Sequence, residues 1–183
     1  AGIHAQYIDA SLSQAVDFGT IGAVAGIPGA VPTQQDGRAK VEGDDWGFGV
    51  NLGVMFEPFE TTRFGVAYRS QISHELEGDA DFEGDNAGIA TALRANTGQF
   101  TDTDVTADLT TPDMISAGFY HELNPQWAVM GEVQWTLWDS FNNLRIEFDN
   151  PVQADSVTEE NWSNAVFGAL GVTYRPSSDW ALR

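Results

Sequence analysis

The sequence predicts an all-β protein, an antiparallel up-and-down β-barrel that crosses a membrane. Three observations predict it: large apolar residues alternate with small or polar ones, the alternating runs are long, and tight turns alternate with long loops. Successive side chains of a strand point to opposite faces, so alternation with period two indicates strands. A strand that crosses a bilayer needs about 9–11 residues, more than the usual strand of a soluble domain.

The clearest pattern is a predicted β-hairpin at residues 43–82, around which the other elements are arranged. Its first run places large apolar residues on one face, at Trp46, Phe48, Val50, Leu52, Val54 and Phe56. Its second run is expected to continue that face with Phe64, Val66, Tyr68, Ile72 and Leu76. A soluble β-sandwich with long strands would show the same alternation, so the hairpin alone does not decide between the two folds.

The connections along the chain favour the barrel. Strands are predicted at residues 1–9, 46–56, 62–76, 105–121, 127–138 and 162–174. Long loops are predicted at residues 10–42, 78–104 and 149–160, and tight turns at residues 58–62, 122–126 and 176–179. A short helix is expected at residues 87–95, a bulge or local kink at Pro112, and a bulge at residues 139–143. Strict alternation of long and short connections places all tight turns at one rim, as in outer-membrane barrels.

Aromatic residues support the same interpretation, because they gather at both ends of the predicted strands. Those beside tight turns are Phe56, Phe59, Phe64, Phe119, Tyr120, Trp127, Tyr174 and Trp180. Those near the long loops are Trp46, Phe48, Trp138 and Trp162. Two such belts are typical of the two interfaces of a membrane.

Composition excludes several classes of function. The net charge is −19 with eight Lys and Arg, which argues against nucleic-acid binding, because that needs a basic surface. There is no cysteine, and His4, His74 and His121 are scattered along the sequence. No catalytic spacing, metal site or cofactor is expected, so the chain is predicted not to be an enzyme. Both ends fall inside alternating runs, which predicts the interior of a longer polypeptide.

Five stretches carry a family resemblance. They are GDDWGFGVNLGV at 43–54, TRFGVAYRSQISHELEGDADF at 62–82, LTTPDMISAGFYHELNPQWAV at 109–129, WTLWDSFNNL at 135–144 and FGALGVTYRPSSDWALR at 167–183. In this order they resemble the FadL-type long-chain fatty acid and hydrocarbon transporters of Gram-negative outer membranes.

The resemblance implies a barrel of about fourteen strands, plugged by an N-terminal hatch, in which ligands pass from a loop groove to the lumen and leave sideways through the wall. Residues 1–183 would form a single partial barrel domain, about half of the wall, without the hatch. The expected function is passive uptake of long-chain fatty acids or other hydrophobic compounds. A general porin and a soluble β-sandwich binding module are the alternatives. Expected partners are the ligand, outer-membrane lipid and lipopolysaccharide, and the protein is expected to be a monomer.

Two groups of candidate ligand-binding residues follow. The first loop is apolar, and its groove candidates are Ile21, Val24, Ile27 and Val31. The lumen candidates, on the small or polar face of the strands, are Met55, Arg69, Met130, Glu132 and Phe167. Arg69 could pair with a fatty-acid carboxylate or, alternatively, with a lumenal acid such as Glu132. The particular substrate and the carboxylate-binding residue do not follow from the sequence.

Overall fold

The computed structural model describes residues 1–84, 88–177 and 179–182, and nearly all of the regular structure in these ranges is strand. The strands are β1 (Gly2–Asp17), β2 (Asp36–Phe59), β3 (Thr62–Arg69), β4 (Ile72–Glu83), β5 (Thr103–Thr111), β6 (Met114–Glu122), β7 (Trp127–Thr136), β8 (Asn143–Phe148), β9 (Ser156–Glu159), β10 (Ala165–Ser177) and β11 (Trp180–Leu182). The helices are α1 (Phe18–Val24), α2 (Ile89–Thr97) and one 3₁₀ turn (Trp138–Ser140). Within these ranges, no helix is long and apolar enough to cross a membrane.

All of these strands belong to one antiparallel sheet. Its order is β11-β10-β7-β6-β3-β2-β4-β5-β8-β9, with β1 paired to β2. We call one crossing of the barrel wall by the chain a pass. The strand pairs β3–β4, β5–β6, β7–β8 and β9–β10 each form one pass that is interrupted in the middle. The chain then runs up and down through adjacent passes, which confirms the predicted topology. A sandwich needs two packed sheets, so the β-sandwich alternative is wrong.

The connections alternate in length as predicted, but the loops are shorter. Loops at residues 18–35, 84–102 and 149–155 alternate with tight turns at residues 60–61, at 123–126 and between β10 and β11. The prediction of loops over residues 10–42, 78–104 and 149–160 was therefore wrong at their edges. There the backbone ladder continues, Asp17 pairing with Asp36, but charged residues such as Arg38 and Lys40 alternate with small or medium-sized ones such as Ala39 and Val41, which is a weaker hydrophobic signal. The predicted helix is present as α2, although Ala87 lies outside the described residues.

Four neighbouring passes are interrupted at corresponding positions, at residues 70–71, 112–113, 137–142 and 160–164. We call this line the seam. The strand breaks at Pro112, where a bulge or kink was expected, whereas the bulge expected at residues 139–143 is instead a break that contains the 3₁₀ turn Trp138–Ser140. Asp113 ties two passes together here, since its Oδ1 accepts hydrogen bonds from the Tyr68 hydroxyl (2.5 Å) and the Gln71 amide (2.9 Å).

The β3–β4 pass exchanges its inner and outer faces at the seam. Here "below" means the side of the tight turns and "above" means the side of the long loops. Below the seam, Tyr68 pairs with Leu52 and Val66 with Val54, so even-numbered residues share a face. Above it, Phe82 pairs with Ala39 and Ala80 with Val41, so even residues of β4 lie on the opposite face of β2. The expectation that Ile72 and Leu76 continue the apolar face of Phe64 was therefore wrong. One extra residue at the seam shifts the register, and both side chains are buried on the inner side.

This reversal gives the outer surface two zones. Below the seam it is a band of exposed apolar residues that includes Val54, Phe56, Phe64, Val66, Val133, Val166, Leu170 and Val172. Above the seam the same surface carries Ser73, Glu75, Glu77 and Asp79, which alternate with the buried residues of β4. Aromatic pairs mark the borders of the band: Trp127 stacks on Tyr174 with ring centroids 4.5 Å apart, and Trp138 meets Trp162 at 4.8 Å. Such a band between aromatic belts matches a lipid-facing surface.

A small apolar cap covers the inner side of the upper wall. It contains Phe18 and Ile27 from the first long loop and Ile89, Ala90 and Leu93 from α2. The Phe100 ring joins the cap to the wall, since its centroid lies 5.4 Å from that of Phe18 and 5.6 Å from that of Phe82. The two longest loops thus share one core instead of standing apart in water.

Candidate functional site

The lumenal face of the lower wall forms a shallow trough. It is the side opposite the apolar band, and its volume is about 810 Å³. Small residues of neighbouring strands make its floor, namely Gly53, Gly65, Ala67, Ser116, Gly118, Ala169 and Gly171. Three of the predicted lumen residues, Met55, Met130 and Glu132, also line it. Phe167 shares this face, because it pairs with Gln134 beside Glu132, but it lies beyond the trough.

The small residues shape the trough because a larger side chain would fill it. A Cβ added to Gly65 would meet nothing within 4 Å, so the space above this glycine is open. Apolar and small side chains dominate the lining, while methionine contributes a flexible and polarizable surface. The volume lies within the range of small-molecule sites, about 300–1,000 Å³.

The lower end of the trough is closed by paired polar groups. Arg63 Nε lies 3.0 Å from Glu57 Oε1, and its guanidinium carbon lies 5.9 Å from the centre of the Tyr120 ring. The Tyr120 hydroxyl donates to Glu122 (2.8 Å) and accepts from Arg175 Nη2 (2.8 Å). These four charged residues, Glu57, Arg63, Glu122 and Arg175, therefore have partners.

The upper end of the trough leads to Arg69, which has different surroundings. Arg69 lies two residues above Ala67 on the same face of β3 and opposite Asn51. Its Nε donates to His4 Nε2 at 3.4 Å, a long hydrogen bond. Among the ion pairs of the described residues, none joins Arg69 to a carboxylate, Glu132 included.

Two histidines lie over the glycines of β2, and one of them, His4, is the hydrogen-bond partner of Arg69. A Cβ on Gly49 would come 2.5 Å from His4 Cε1, and a Cβ on Gly47 would come 2.5 Å from His74 Cε1. The pairing partner of β2 changes from β4 to β3 between residues 44 and 51, and Ile72 and His74 fill the space between the diverging strands. The absence of side chains at Gly47 and Gly49 is what admits both rings.

The histidine nitrogens are only partly satisfied. His74 Nδ1 lies 3.0 Å from Asp45 Oδ2, and the residue is 2% exposed. His74 Nε2 and His4 Nδ1 are both buried without a hydrogen-bond partner among the described residues. The sequence pattern did not reveal this cluster, because residues 4 and 74 are distant in the chain. The only signal was the Gly-Phe-Gly spacing, which leaves open space on one face of β2.

The groove candidates of the first loop divide into two kinds. Ile27 is 8% exposed and Ile21 is half-buried, and both belong to the cap. Val24 is 86% exposed and Val31 is 40% exposed, so these two present apolar surface at the mouth of the wall. The loop is anchored by Asp17, whose carboxylate accepts hydrogen bonds from Thr20 and from the Thr33 amide.

Hydrogen bonding lowers the pKa of the Asp17 carboxyl below its usual value. The Thr20 hydroxyl makes the largest contribution, and the amides of Thr20 and Thr33 add to it. Elsewhere in the described ranges, no group of three or more His, Asp or Glu is arranged to hold a metal ion.

Comparison with known proteins places this geometry in a family. The family model described as "Outer membrane protein transport protein (OMPP1/FadL/TodX)" matches residues 1–183. The chain belongs to this family. Membership confirms the predicted resemblance and places the chain in the bacterial outer membrane. Because the family consists of transport proteins, it also agrees with the expectation that the chain is not an enzyme.

Individual relatives agree on the fold and show how much of it the chain represents. A putative outer membrane protein of Neisseria meningitidis is 32% identical over 86% of the chain, and the long-chain fatty acid transport protein of Escherichia coli O6:H1 is 28% identical over 88%. The chain spans 36% and 37% of the lengths of these two relatives. The crystal structure of a Pseudomonas aeruginosa FadL homologue superposes on 98% of the chain with a TM-score of 0.84, at 20% identity, and the match covers 43% of that protein. The predicted partial barrel is thus confirmed.

Proposed function

We propose that the full-length protein containing this chain mediates passive uptake of long-chain fatty acids or other hydrophobic compounds across the outer membrane. The lumenal trough is the observation that carries the proposal, because an apolar floor of small residues suits an apolar ligand better than an aqueous stream. Two relatives support it by name, one as a long-chain fatty acid transport protein and one as a FadL homologue.

In this proposal the chain contributes one part of the barrel wall, and the first loop contributes to ligand capture at the mouth. Val24 and Val31 are the capture residues, because they expose apolar surface. Ile21 and Ile27 support them from within the cap. Burying one methylene of a ligand contributes about 0.8 kcal/mol, so a modest apolar patch can retain a long acyl chain.

The ligand would then descend to the trough and leave sideways through the wall. The seam supports such an exit. The ladder between the β5–β6 pass and the β7–β8 pass joins residues 105–107 to 146–148 and residues 114–122 to 128–136, so it is interrupted in between. A wall in which strands have already separated needs fewer broken hydrogen bonds to open. The finer expectations, contact with lipopolysaccharide and a monomeric state, remain part of the proposal.

The capture step is tested with the full-length protein, purified in detergent and titrated with a fluorescent long-chain fatty acid. Val24→Asp and Val31→Asp place charges on the exposed patch without entering the cap, whereas Ile27→Asp would also disturb folding. Val157→Asp is the matched control, because Val157 is also an exposed valine but lies on β9, outside the first loop.

We expect saturable binding that both loop variants weaken and the control leaves unchanged. Binding that persists in both loop variants would move capture away from this loop. No saturable binding by the unmodified protein, together with free passage of small hydrophilic solutes in reconstituted vesicles, would favour the general porin instead.

A further inference from the structure

Three arginines project from the lumenal face, and only one of them has no carboxylate partner within the described ranges. Arg63 is paired with Glu57 at 3.0 Å and Arg175 with Glu122 at 3.4 Å. Arg69 contacts only the imidazole of His4. Arg38 and Arg94 also have no carboxylate partner in these ranges, but Arg38 donates to the Ser13 hydroxyl and Arg94 to the carbonyls of Phe82 and Phe100, and both lie above the seam. The charge of Arg69 is therefore available to a group from outside the chain.

Asp45, the acid on the neighbouring lumenal face of β2, is already occupied. Its carboxylate is engaged by His74 Nδ1 at 3.0 Å. His74 is buried and lies against Gly47, so the pair is held in place by the packing of Ile72 on the same glycine. The carboxylate of Asp45 is therefore engaged by His74, and within the described ranges Glu132, the acid that lines the trough, forms no ion pair with Arg69 either.

His4 determines the direction of the guanidinium. Because Arg69 donates through Nε, the Nε2 atom of His4 must accept, and the imidazole proton then lies on Nδ1. With Nε tied to His4, the two terminal nitrogens of Arg69 remain free to donate in parallel. That is the geometry in which arginine binds a carboxylate through two hydrogen bonds.

The position of Arg69 relative to the trough completes the site. Ala67 lines the trough, and Arg69 follows two residues later on the same face, a distance of roughly 7 Å along a strand. A cationic group thus lies at the upper end of the trough, and paired charges close its lower end. A ligand that fits both parts has one anionic head and one apolar tail.

We propose that Arg69 receives the carboxylate of a single-chain fatty acid whose tail lies in the trough, and that His4 is a positioning residue which keeps the guanidinium turned to the lumen. The inference rests on the proposed uptake function and adds to it the head-group contact. A hydrocarbon would occupy the same trough without using Arg69, so the two ligand classes can be separated by experiment.

The test uses the full-length protein in detergent, loaded with an apolar environment-sensitive dye that hexadecanoate or hexadecanol displaces. The two competitors have equal tails and differ in the charge of the head. The variants are Arg69→Gln, His4→Leu and His4→Gln, with Arg175→Gln as the control that also removes one lumenal positive charge. Far-UV circular dichroism of each variant checks that the strands are intact.

We expect Arg69→Gln to weaken displacement by hexadecanoate about tenfold or more and to leave hexadecanol unchanged. His4→Leu should give a smaller loss, again for the acid alone, and His4→Gln should restore affinity because its amide oxygen can accept from Arg69 Nε. Arg175→Gln should behave like the unmodified protein with both competitors.

Three results would overturn the inference while leaving uptake of hydrophobic compounds intact. They are an Arg69→Gln variant that binds hexadecanoate normally, one that loses acid and alcohol equally, and an Arg175→Gln variant with the same selective loss. If neither hexadecanoate nor hexadecanol displaces the dye from the unmodified protein, the proposed function fails together with the inference.

Discussion

The hydroxyl of Tyr68 donates a 2.5 Å hydrogen bond to the carboxylate of Asp113, and this contact joins two passes of the wall where both are interrupted. The same carboxylate oxygen accepts from the backbone amide of Gln71 at 2.9 Å. Asp113 thus supplies an acceptor for the amide of Gln71, which lies outside the strand ladder at the seam.

Removing this acceptor should open the seam locally. In Asp113→Ala, the amide of Gln71 loses its partner, and we expect its hydrogen exchange to become about tenfold faster or more. Asp113→Asn keeps one acceptor oxygen and serves as the control, with exchange close to that of the unmodified protein. The measurement is amide exchange followed by mass spectrometry of the full-length protein. Equal protection in all three proteins would contradict this role of Asp113.

The two glycines under the histidines should tolerate no side chain. In Gly47→Ala, the new Cβ would lie 2.3 Å from Ile72 Cγ2, so the neighbouring side chains must move. We expect the free energy of unfolding to fall by about 1–3 kcal/mol. Gly65→Ala is the matched control on the next pass, because its Cβ would meet nothing within 4 Å. Denaturant unfolding of both variants measures the difference. A Gly47→Ala protein as stable as Gly65→Ala would show that the cluster repacks freely.

The position of the membrane border can be mapped by single cysteines, since the chain has none of its own. Glu75→Cys lies on the outer surface above the seam, and Val66→Cys lies in the apolar band below it. We expect a membrane-impermeant maleimide to label Glu75→Cys in intact cells and to leave Val66→Cys unmodified. In detergent-solubilised and denatured protein both should react. Labelling of Val66→Cys in cells would place the border elsewhere.

The first loop should loosen in acid. The lowered pKa of Asp17 means that its carboxylate stabilises the folded loop at pH values above the usual pKa of aspartate, about 3.9. That stabilisation is lost as the pH falls through the lowered pKa and the carboxyl gains a proton. Limited proteolysis of the loop across this range should show growing cleavage in the unmodified protein. Asp17→Ala should be cleaved at every pH, whereas cleavage that ignores both pH and the substitution would exclude the anchor.

Much of the lower wall could be predicted from the sequence, and the reason is physical. From Trp46 to Phe56 one face of β2 contacts lipid and the other the lumen, so hydrophobicity and geometry follow the same period. The turn that contains Pro125 and the break at Pro112 could also be predicted, because proline restricts the backbone wherever it occurs. Alternating loop lengths then gave the topology.

Above the seam this correspondence ends. β1 continues through Ser11, Ser13 and Gln14, where neither face meets lipid and no alternation remains to be seen. The reversal at residues 70–71 could not be predicted, because a register shift of one residue leaves no mark in composition. The place of Arg69 on the lumenal face could be predicted from its position in the alternating run. Its neighbour His4 could not, because the two residues are 65 positions apart and only the fold brings them together.

The reversal at the seam also constrains how such a chain can change its length. In the β3–β4 pass, even-numbered residues face outward below the seam and inward above it. Loss of a single residue at positions 70–71 would bring Glu75 and Glu77 inside and turn Ile72 and Leu76 to water. Within strands, tolerated insertions and deletions should therefore come in pairs, while the loops, which keep no frame, are free to vary by any number.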